Sequence, residues 1–275
     1  MKKSFFQFEF LVGFFLLALI GGAVACSGWL FPDGGTSMNL LARLTPPFKD
    51  MHTLLGTDPM GRDVLARIVA GGRVSFEVGI FSALGAVTLG TFIGLLAGYY
   101  RGIWDTFLMR FADIQLALPF ILLAITVIAI IGPGLDRIIV LMIVAQWVQY
   151  ARLIRGSVLS LRETEYVQAA KGYGLPNWKI ILSHILPNAF GPLVILATLN
   201  VANNILLESS LTFLGLGISP LIPSWGGMLA DGRNYIQTAP WVTIFPGLAI
   251  MLTVLSLNLL GDWLRDWLDP LGQTR

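Results

Sequence analysis

Apolar residues gather along the chain in six blocks, at about 8 to 30, 76 to 99, 109 to 132, 137 to 160, 190 to 214 and 241 to 262. Each matches the roughly 20 residues that a helix needs to cross a hydrocarbon core ~30 Å thick. Glycine or proline interrupts every block, as with Gly85, Gly90, Gly94 and Gly98 in the second and Pro119 in the third. Lipid offers no water to an unbonded peptide group, so such blocks are held helical. Small residues at these spacings then predict close backbone approach in a packed bundle. The pattern predicts an all-α polytopic membrane protein with six transmembrane helices.

Two segments between blocks carry structure of their own. In "LLGTDPMGRDVLARIVAGGRVS", Asp58 is positioned to cap a helix that Pro59 starts. Val64, Leu65, Ile68 and Val69 alternate there with Arg62, Asp63 and Arg67, which predicts an amphipathic helix at the membrane surface. In "EYVQAAKGYGLPNWKIILSHILPN", residues 165 to 174 read as a short helix capped by Thr164 and ended by Gly174. Pro176 then suits the first turn of a second helix through Ile180, Ile181 and Ile185, which Pro187 is expected to break before the fifth span. This elbow carries Tyr166, Val167, Ala169, Ala170, Tyr173, Leu175 and Trp178, an apolar set that calls for a docking partner. Near the carboxyl end, Pro220 and Pro223 precede another short segment and Pro240 precedes the sixth span, with Trp225, Tyr235 and Trp241 suited to an interface.

Charge sets the orientation. With the amino terminus in the cytoplasm, that side holds Lys2, Lys3, Arg101, Arg110, Arg152, Arg155, Arg162, Lys171, Lys179, Arg265 and Arg275, eleven of the eighteen basic residues. Five of the other seven lie in one long first loop, and the two short outer connections hold only Arg137 and Arg233. Short loops govern topology, so both termini and the elbow are expected in the cytoplasm. The chain divides accordingly into residues 1–72 (first helix, extracytoplasmic loop and surface helix), 73–265 (a five-helix core with the elbow at 165–188) and 266–275 (a cytoplasmic tail).

Composition agrees: 55% hydrophobic and 12% charged residues, with mean hydropathy +0.75, exceed what one soluble core of 275 residues could hide. Lys2, Lys3, the run from Phe10 to Ile20 and Ala23-Val24-Ala25 before Cys26 imitate a signal peptide. Glu9 and the apolar continuation to Phe31 favour an uncleaved first helix. One cysteine and two distant histidines, His52 and His184, provide no metal-ligand cluster. The net charge of +2 is too small and scattered for a nucleic-acid footprint. None of the five lysines follows a glycine, which excludes a phosphate loop of the G-x-x-x-x-G-K-[ST] kind. Neither H-E-x-x-H nor G-x-S-x-G occurs, so enzyme readings, an intramembrane hydrolase among them, have little support.

Within the spans, Asn200, Asn204, Glu208 and Thr212 recur every four residues on one face of the fifth helix, with Asn203 beside them. Such a row either lines a hydrated path or ties helices together. A single intramembrane carboxylate is too little for ion coupling, which counts against a secondary transporter.

The elbow resembles the EAA loop of permease subunits of ABC importers, E-A-A-x3-G-x9-I-x-L-P, read here as Gln168-Ala169-Ala170, Gly174, His184 and Leu186-Pro187. Gln168 stands at the usual Glu position and His184 at the usual Ile. "LGTDPMGRD", "LESSLTFLGLG", "PSWGGML" and "GDWLRDWLDP" are similar to the C-type permease of the dipeptide, oligopeptide and nickel branch. The resemblance implies a type I importer permease fold in a bacterial inner membrane, forming half of a pathway for di- or oligopeptides with a homologous B-type permease. It implies two cytoplasmic ATPases, which carry the ATP and Mg that this chain does not bind, and an extracytoplasmic binding protein. It assigns ATPase coupling to Glu165, Gln168, Ala169, Ala170, Gly174, His184, Leu186 and Pro187, and leaves Asn200, Asn203, Asn204 and Glu208 as candidates for the pathway. Nickel, a nickel chelate, glutathione or an opine are alternative cargoes.

Overall fold

A computed structural model describes residues 2 to 268, with side chains from Phe8 onward. Every named element among them is helical. Besides the short turns Ser27–Leu30, Leu40–Ala42 and Arg233–Tyr235, they are in order α1 (Lys2–Ala25), α2 (Val64–Tyr100), α3 (Gly102–Leu116), α4 (Phe120–Ile131), α5 (Leu135–Leu161), α6 (Glu165–Gly172), α7 (Asn177–Phe213), α8 (Trp225–Gly232) and α9 (Trp241–Leu268). Five of them, α1, α2, α5, α7 and α9, are long and apolar enough to cross a membrane. The pair α3 and α4, bent by 88° at its break, is long and apolar enough only when its two pieces are taken together, so the described residues hold five spans, or six if this pair counts as one. The expected straight helix over 109 to 132 is therefore two pieces. Pro119 lacks an N–H and pushes Leu118 away from helical geometry, and the chain turns there.

The centre of the bundle is the seam between α2 and α5. A Cβ on Gly94 would sit 2.6 Å from the Ala151 carbonyl oxygen, and one on Gly98 would sit 2.8 Å from Val158 Cβ. Glycine at these positions is what lets the two backbones touch, as the sequence spacing predicts. The helix α7 packs against α2, α5 and α9, and α1 lies along α9. The rings of Phe10 and Trp263 are 4.5 Å apart, and Leu268 reaches Gly191. The beginning of α1 and the end of α9 therefore share one end of the bundle with α6, called here the elbow end. Residues 269 to 275 of the expected tail lie outside the described residues.

At the opposite end the expected surface helix does not exist. The helix α2 begins at Val64, capped by Asp63, whose side chain accepts from the Leu65 N–H at 2.9 Å, and it continues unbroken through 72 and 73 into the span. Asp58 instead accepts from the backbone N–H groups of Met60 and Arg62, at 2.8 and 3.0 Å, and closes a turn. The reason is electrostatic. Arg62 and Arg67, which looked like a water-facing stripe, are buried and neutralised. Arg62 Nε bonds Asp58 Oδ2 at 2.6 Å, and Arg67 Nη1 bonds the same oxygen at 2.5 Å. Asp231 of α8 reaches both guanidinium groups, at 3.0 and 3.1 Å. Two carboxylates and two guanidiniums thus join the first long loop, the start of α2 and α8 in one neutral cluster. Trp241 at the head of α9 adds a hydrogen bond to the Thr57 carbonyl at 3.1 Å.

A second departure is at Pro187. The helix α7 does not break there but runs from 177 to 213. The turn at Ile181–Ile185 widens to a π-helix, and the Leu186 N–H donates to the Ile181 carbonyl, five residues back. The extra residue makes room for a proline ring that would otherwise collide with the carbonyl four residues earlier.

Replacing Asp58 with Ala leaves two buried guanidiniums sharing one partly exposed carboxylate. Loss of one partner from a buried cluster costs about 3–5 kcal/mol. The detergent-solubilised Asp58→Ala protein is expected to melt several degrees below wild type, by about the shift such a loss implies. An unchanged melting temperature contradicts the assigned pairing.

Candidate functional site

Two features stand out as built for function, the elbow and the polar row of α7.

The elbow is welded by its inner face and open on its outer one. Val167 and Ala170 of α6 turn inward with Ile180 and Ile185, onto Tyr150, Ile154 and Val158 of α5 and Leu95 of α2. The end of α6 is a glycine-terminated cap. Gly174 has φ +76°, the Leu175 N–H donates to the Ala170 carbonyl at 3.2 Å, and the Gly174 N–H donates to that of Lys171 at 3.0 Å. Thr164 stands at the start of α6, but its hydroxyl donates back to the Leu161 carbonyl at 2.5 Å and does not cap the new helix. Pro176 sits one position before the next helix, as its cap residue. One further bond fixes the elbow to Tyr99 of α2, and a second ties the end of α5 to the same residue. Tyr99 Oη donates to Asn177 Oδ1 at 2.8 Å, and Arg162 Nη1 donates to the Tyr99 carbonyl at 2.9 Å.

Outward face Glu165, Tyr166, Gln168, Ala169, Tyr173, Gly174 and Trp178. Tyr173 is 86% exposed and Trp178 64%. The two alanines of the motif therefore part company: Ala170 is core and Ala169 is surface. Gln168 donates through Nε2 to the Arg162 carbonyl at 2.8 Å, tying α6 to the last turn of α5. An ionised Glu has no hydrogen to give there, so Gln suits this bond. His184 lies half-buried in the widened turn of α7; its carbonyl accepts from Asn188 Nδ2 at 2.7 Å. Leu186 is half-buried and Pro187 exposed.

The row on α7 is buried between helices. Asn200 Nδ2 donates to Tyr150 Oη at 2.9 Å. Asn204 donates to the Gly79 carbonyl at 3.2 Å and accepts from Gln146 Nε2 at 2.5 Å. Glu208 accepts from Thr212 Oγ1 at 2.9 Å, Ser75 Oγ at 3.2 Å and Ser209 Oγ at 3.3 Å. These bonds tie α7 to α2 and α5, and Asn200, Asn204 and Glu208 are buried. Asn203 is separated from them: it is exposed, on a stripe with Leu206, Ser210 and Phe213. Along that stripe an open groove of about 820 Å³ runs between α7 and α9, with Ser209, Ser210 and Asn258 as its polar lining.

Sequence reasoning missed the partners of the row. Gln146 and Tyr150 are four residues apart in the apolar α5, a polar face of the same kind as on α7, and that spacing was the available signal. It also missed Asp231, whose partners lie 164 and 169 residues away.

The family described as "binding-protein-dependent transport system inner membrane component" matches residues 90–271. The chain is 49% identical over 215 residues to the dipeptide transport system permease protein DppC of Alkalihalophilus pseudofirmus, covering 78% of this chain and 71% of that one. It is 43% identical to the glutathione transport system permease protein GsiD of Pectobacterium atrosepticum, covering 94% and 85% of the two chains. It is 38% identical to the oligopeptide transport system permease protein OppC of Haemophilus influenzae, covering 98% and 87%. Among solved structures, a chain of the inward-facing MetNI methionine ABC transporter superposes with a TM-score of 0.57 at 20% identity, covering 72% of this chain and 94% of that one. A chain of an amino acid ABC transporter crystallised with histidines gives 0.58 at 11% identity, covering 74% and 95%. The helical order, the capped elbow and these matches agree: this chain is a multi-pass membrane protein of the binding-protein-dependent transport system inner membrane component family, a permease component of an ABC importer.

Proposed function

We propose that this permease carries di- or oligopeptides, glutathione included, across a bacterial inner membrane as one half of a pathway completed by a homologous B-type permease. The elbow end, with both described ends of the chain, faces the cytoplasm, and the Asp58 cluster faces outward. Two ATPases, holding ATP and Mg, dock on the elbow, and a binding protein delivers cargo at the opposite end. The observation that carries this reading is the two-sided elbow. Its inner face is fixed to α2 and α5 by core packing and two hydrogen bonds. Its outer face offers Tyr166, Ala169, Tyr173 and Trp178. A docked ATPase pushing there moves the bundle, because a capped and welded helix pair does not yield first.

The peptide class rests on the names of the relatives and on the groove. Its lining is largely apolar with a few hydroxyl and amide groups, which suits varied side chains on a constant backbone better than it suits a bare metal ion. Asn203 extends the same stripe. An exposed amide inside a span is costly against lipid, so it faces water or the second permease.

Three outcomes are expected. Reconstituted with its partner subunits in proteoliposomes, the permease takes up labelled dipeptide only with ATP and the binding protein present. Uptake driven by a proton gradient without the ATPases sinks this reading. Gly174→Val forces a β-branched residue into positive φ at about 1–3 kcal/mol of strain. That weakens ATPase co-purification by roughly tenfold while the membrane helices stay inserted, and wild-type recovery of the ATPases contradicts it. Asn204→Ala lowers the stability of the permease by about 1 kcal/mol. Asn203→Ala leaves the melting temperature unchanged and slows uptake, and the reverse pattern in melting and uptake assays refutes the division of roles.

A further inference from the structure

We propose that the cleft between the end of α1 and the early part of α2 binds a phospholipid and selects an amine-bearing, zwitterionic headgroup. The cleft holds about 360 Å³ between Val24, Ser27 and Trp29 on one side and Arg73, Glu77 and Phe81 on the other.

Its depth is set by α1. The apolar window of that helix closes at Ala25, and Trp29, just beyond it, is 94% exposed, the place and residue type of a membrane interface. Arg73 and Glu77, one helical turn apart, face each other here, with Arg73 Nε on Glu77 Oε1 at 3.0 Å. Their side chains are 72% and 33% exposed. In water such a pair contributes little and needs no explanation. Beside hydrocarbon it is costly, and it persists where polar groups cover it.

The pairing leaves specific valences open. Only Nε of the guanidinium is engaged, so among the described residues both Nη groups and Glu77 Oε2 lack a protein partner. The Nη groups form a planar fork that fits two phosphate oxygens. The free carboxylate oxygen accepts from an ammonium. One headgroup carries both, with phosphate and amine separated by two carbons. Ile80 and Phe81, 42% and 56% exposed and about one turn farther into the span, give an acyl chain an apolar wall below that headgroup. Phosphatidylglycerol offers the same phosphate to the fork but only neutral hydroxyls to Glu77, so it lacks the ammonium–carboxylate contact.

The test uses the whole transporter assembly, stripped of endogenous lipid in detergent and titrated with synthetic dioleoyl phosphatidylethanolamine or dioleoyl phosphatidylglycerol. Native mass spectrometry reads the lipid retained on the permease. Wild type is expected to keep the ethanolamine lipid about fivefold better than the glycerol lipid, the scale of one partly screened charge contact. Arg73→Gln lowers retention of both lipids by a similar factor, and Glu77→Gln abolishes the preference while glycerol-lipid retention holds or rises. Arg73 is exposed and Glu77 only partly buried, so both variants are expected to fold, and equal melting temperatures check this. Equal retention of the two lipids by wild type overturns the proposal, as does wild-type retention in Arg73→Gln. It is also overturned if a cysteine at Gly28 cross-links to the second permease, because the cleft is then covered by protein.

Discussion

Inside a bilayer no water is available to take up a hydrogen bond that the protein leaves unmade, and this constraint shapes most of what is distinctive in the permease. It acts first on the backbone. Pro187 removes a donor from the middle of α7, and the helix answers by widening one turn so that the Leu186 N–H still finds a carbonyl. It acts next on side chains. Asn204 in an apolar span is tolerable because Gln146 and the Gly79 carbonyl meet it, and Glu208 because Ser75, Ser209 and Thr212 do. Each of these partners lies on a neighbouring helix or within one turn of the same helix. The pairing therefore also fixes which faces of α2, α5 and α7 meet, something that greasy surfaces alone specify poorly.

The elbow follows a different rule because it stands at the edge of this environment. There the chain can afford exposed backbone and a glycine-ended helix, and it divides its side chains by face. Val167, Ala170, Ile180 and Ile185 continue the core of the bundle, while Tyr173 and Trp178 stay open. Gln168 belongs to the inner side of this division despite its exposure, since its amide hydrogen goes to the Arg162 carbonyl. Loss of the usual carboxylate at this position therefore brings with it a gain in how α6 is held to α5. The contact surface left for a partner is aromatic and uncharged at its centre, with Glu165 and Lys171 at its edges.

Much of this was legible in the chain, and what was not has a common physical origin. The spans, the glycine seam, the Gly174 turn and the start of α8 after Pro223 were readable because each depends on residues close in sequence. The α2 start was misread because Arg62 and Arg67 look like a solvated stripe until Asp231, far along the chain, is brought beside them. Pro187 was misread because a proline ends a helix in water, whereas here the surrounding bundle makes a widened turn the cheaper solution. Asn203 was grouped with Asn200 and Asn204 by proximity, but it lies about 100° around the helix from its neighbour, enough to move it from the seam to the surface. The polar row itself could be found, but its partners on α2 and α5 could not, because they lie far away in sequence.

The distribution of packing quality also bears on how such a bundle can move. Along α2 and α5 the backbones come together at three glycines, Gly90, Gly94 and Gly98, where there is no room for a side chain. At 37 residues α2 is about 55 Å long, and it carries the Asp58 cluster at one end and the Tyr99 contact with the elbow at the other. The closely packed α2 and α5 therefore connect the elbow end to the far end of the molecule. Between α7 and α9 the packing is uneven: Leu199 lies against Gly261, whereas along Leu206 to Leu214 an open groove of about 820 Å³ lies between the two helices. Interiors resist deformation where they are filled and yield where contacts are missing. Pro246 within α9 and Pro192 within α7 each remove one backbone bond from the helices that flank this groove. Rearrangement of the bundle thus costs least along α7 and α9, on the same face where Asn203 and Ser210 are exposed.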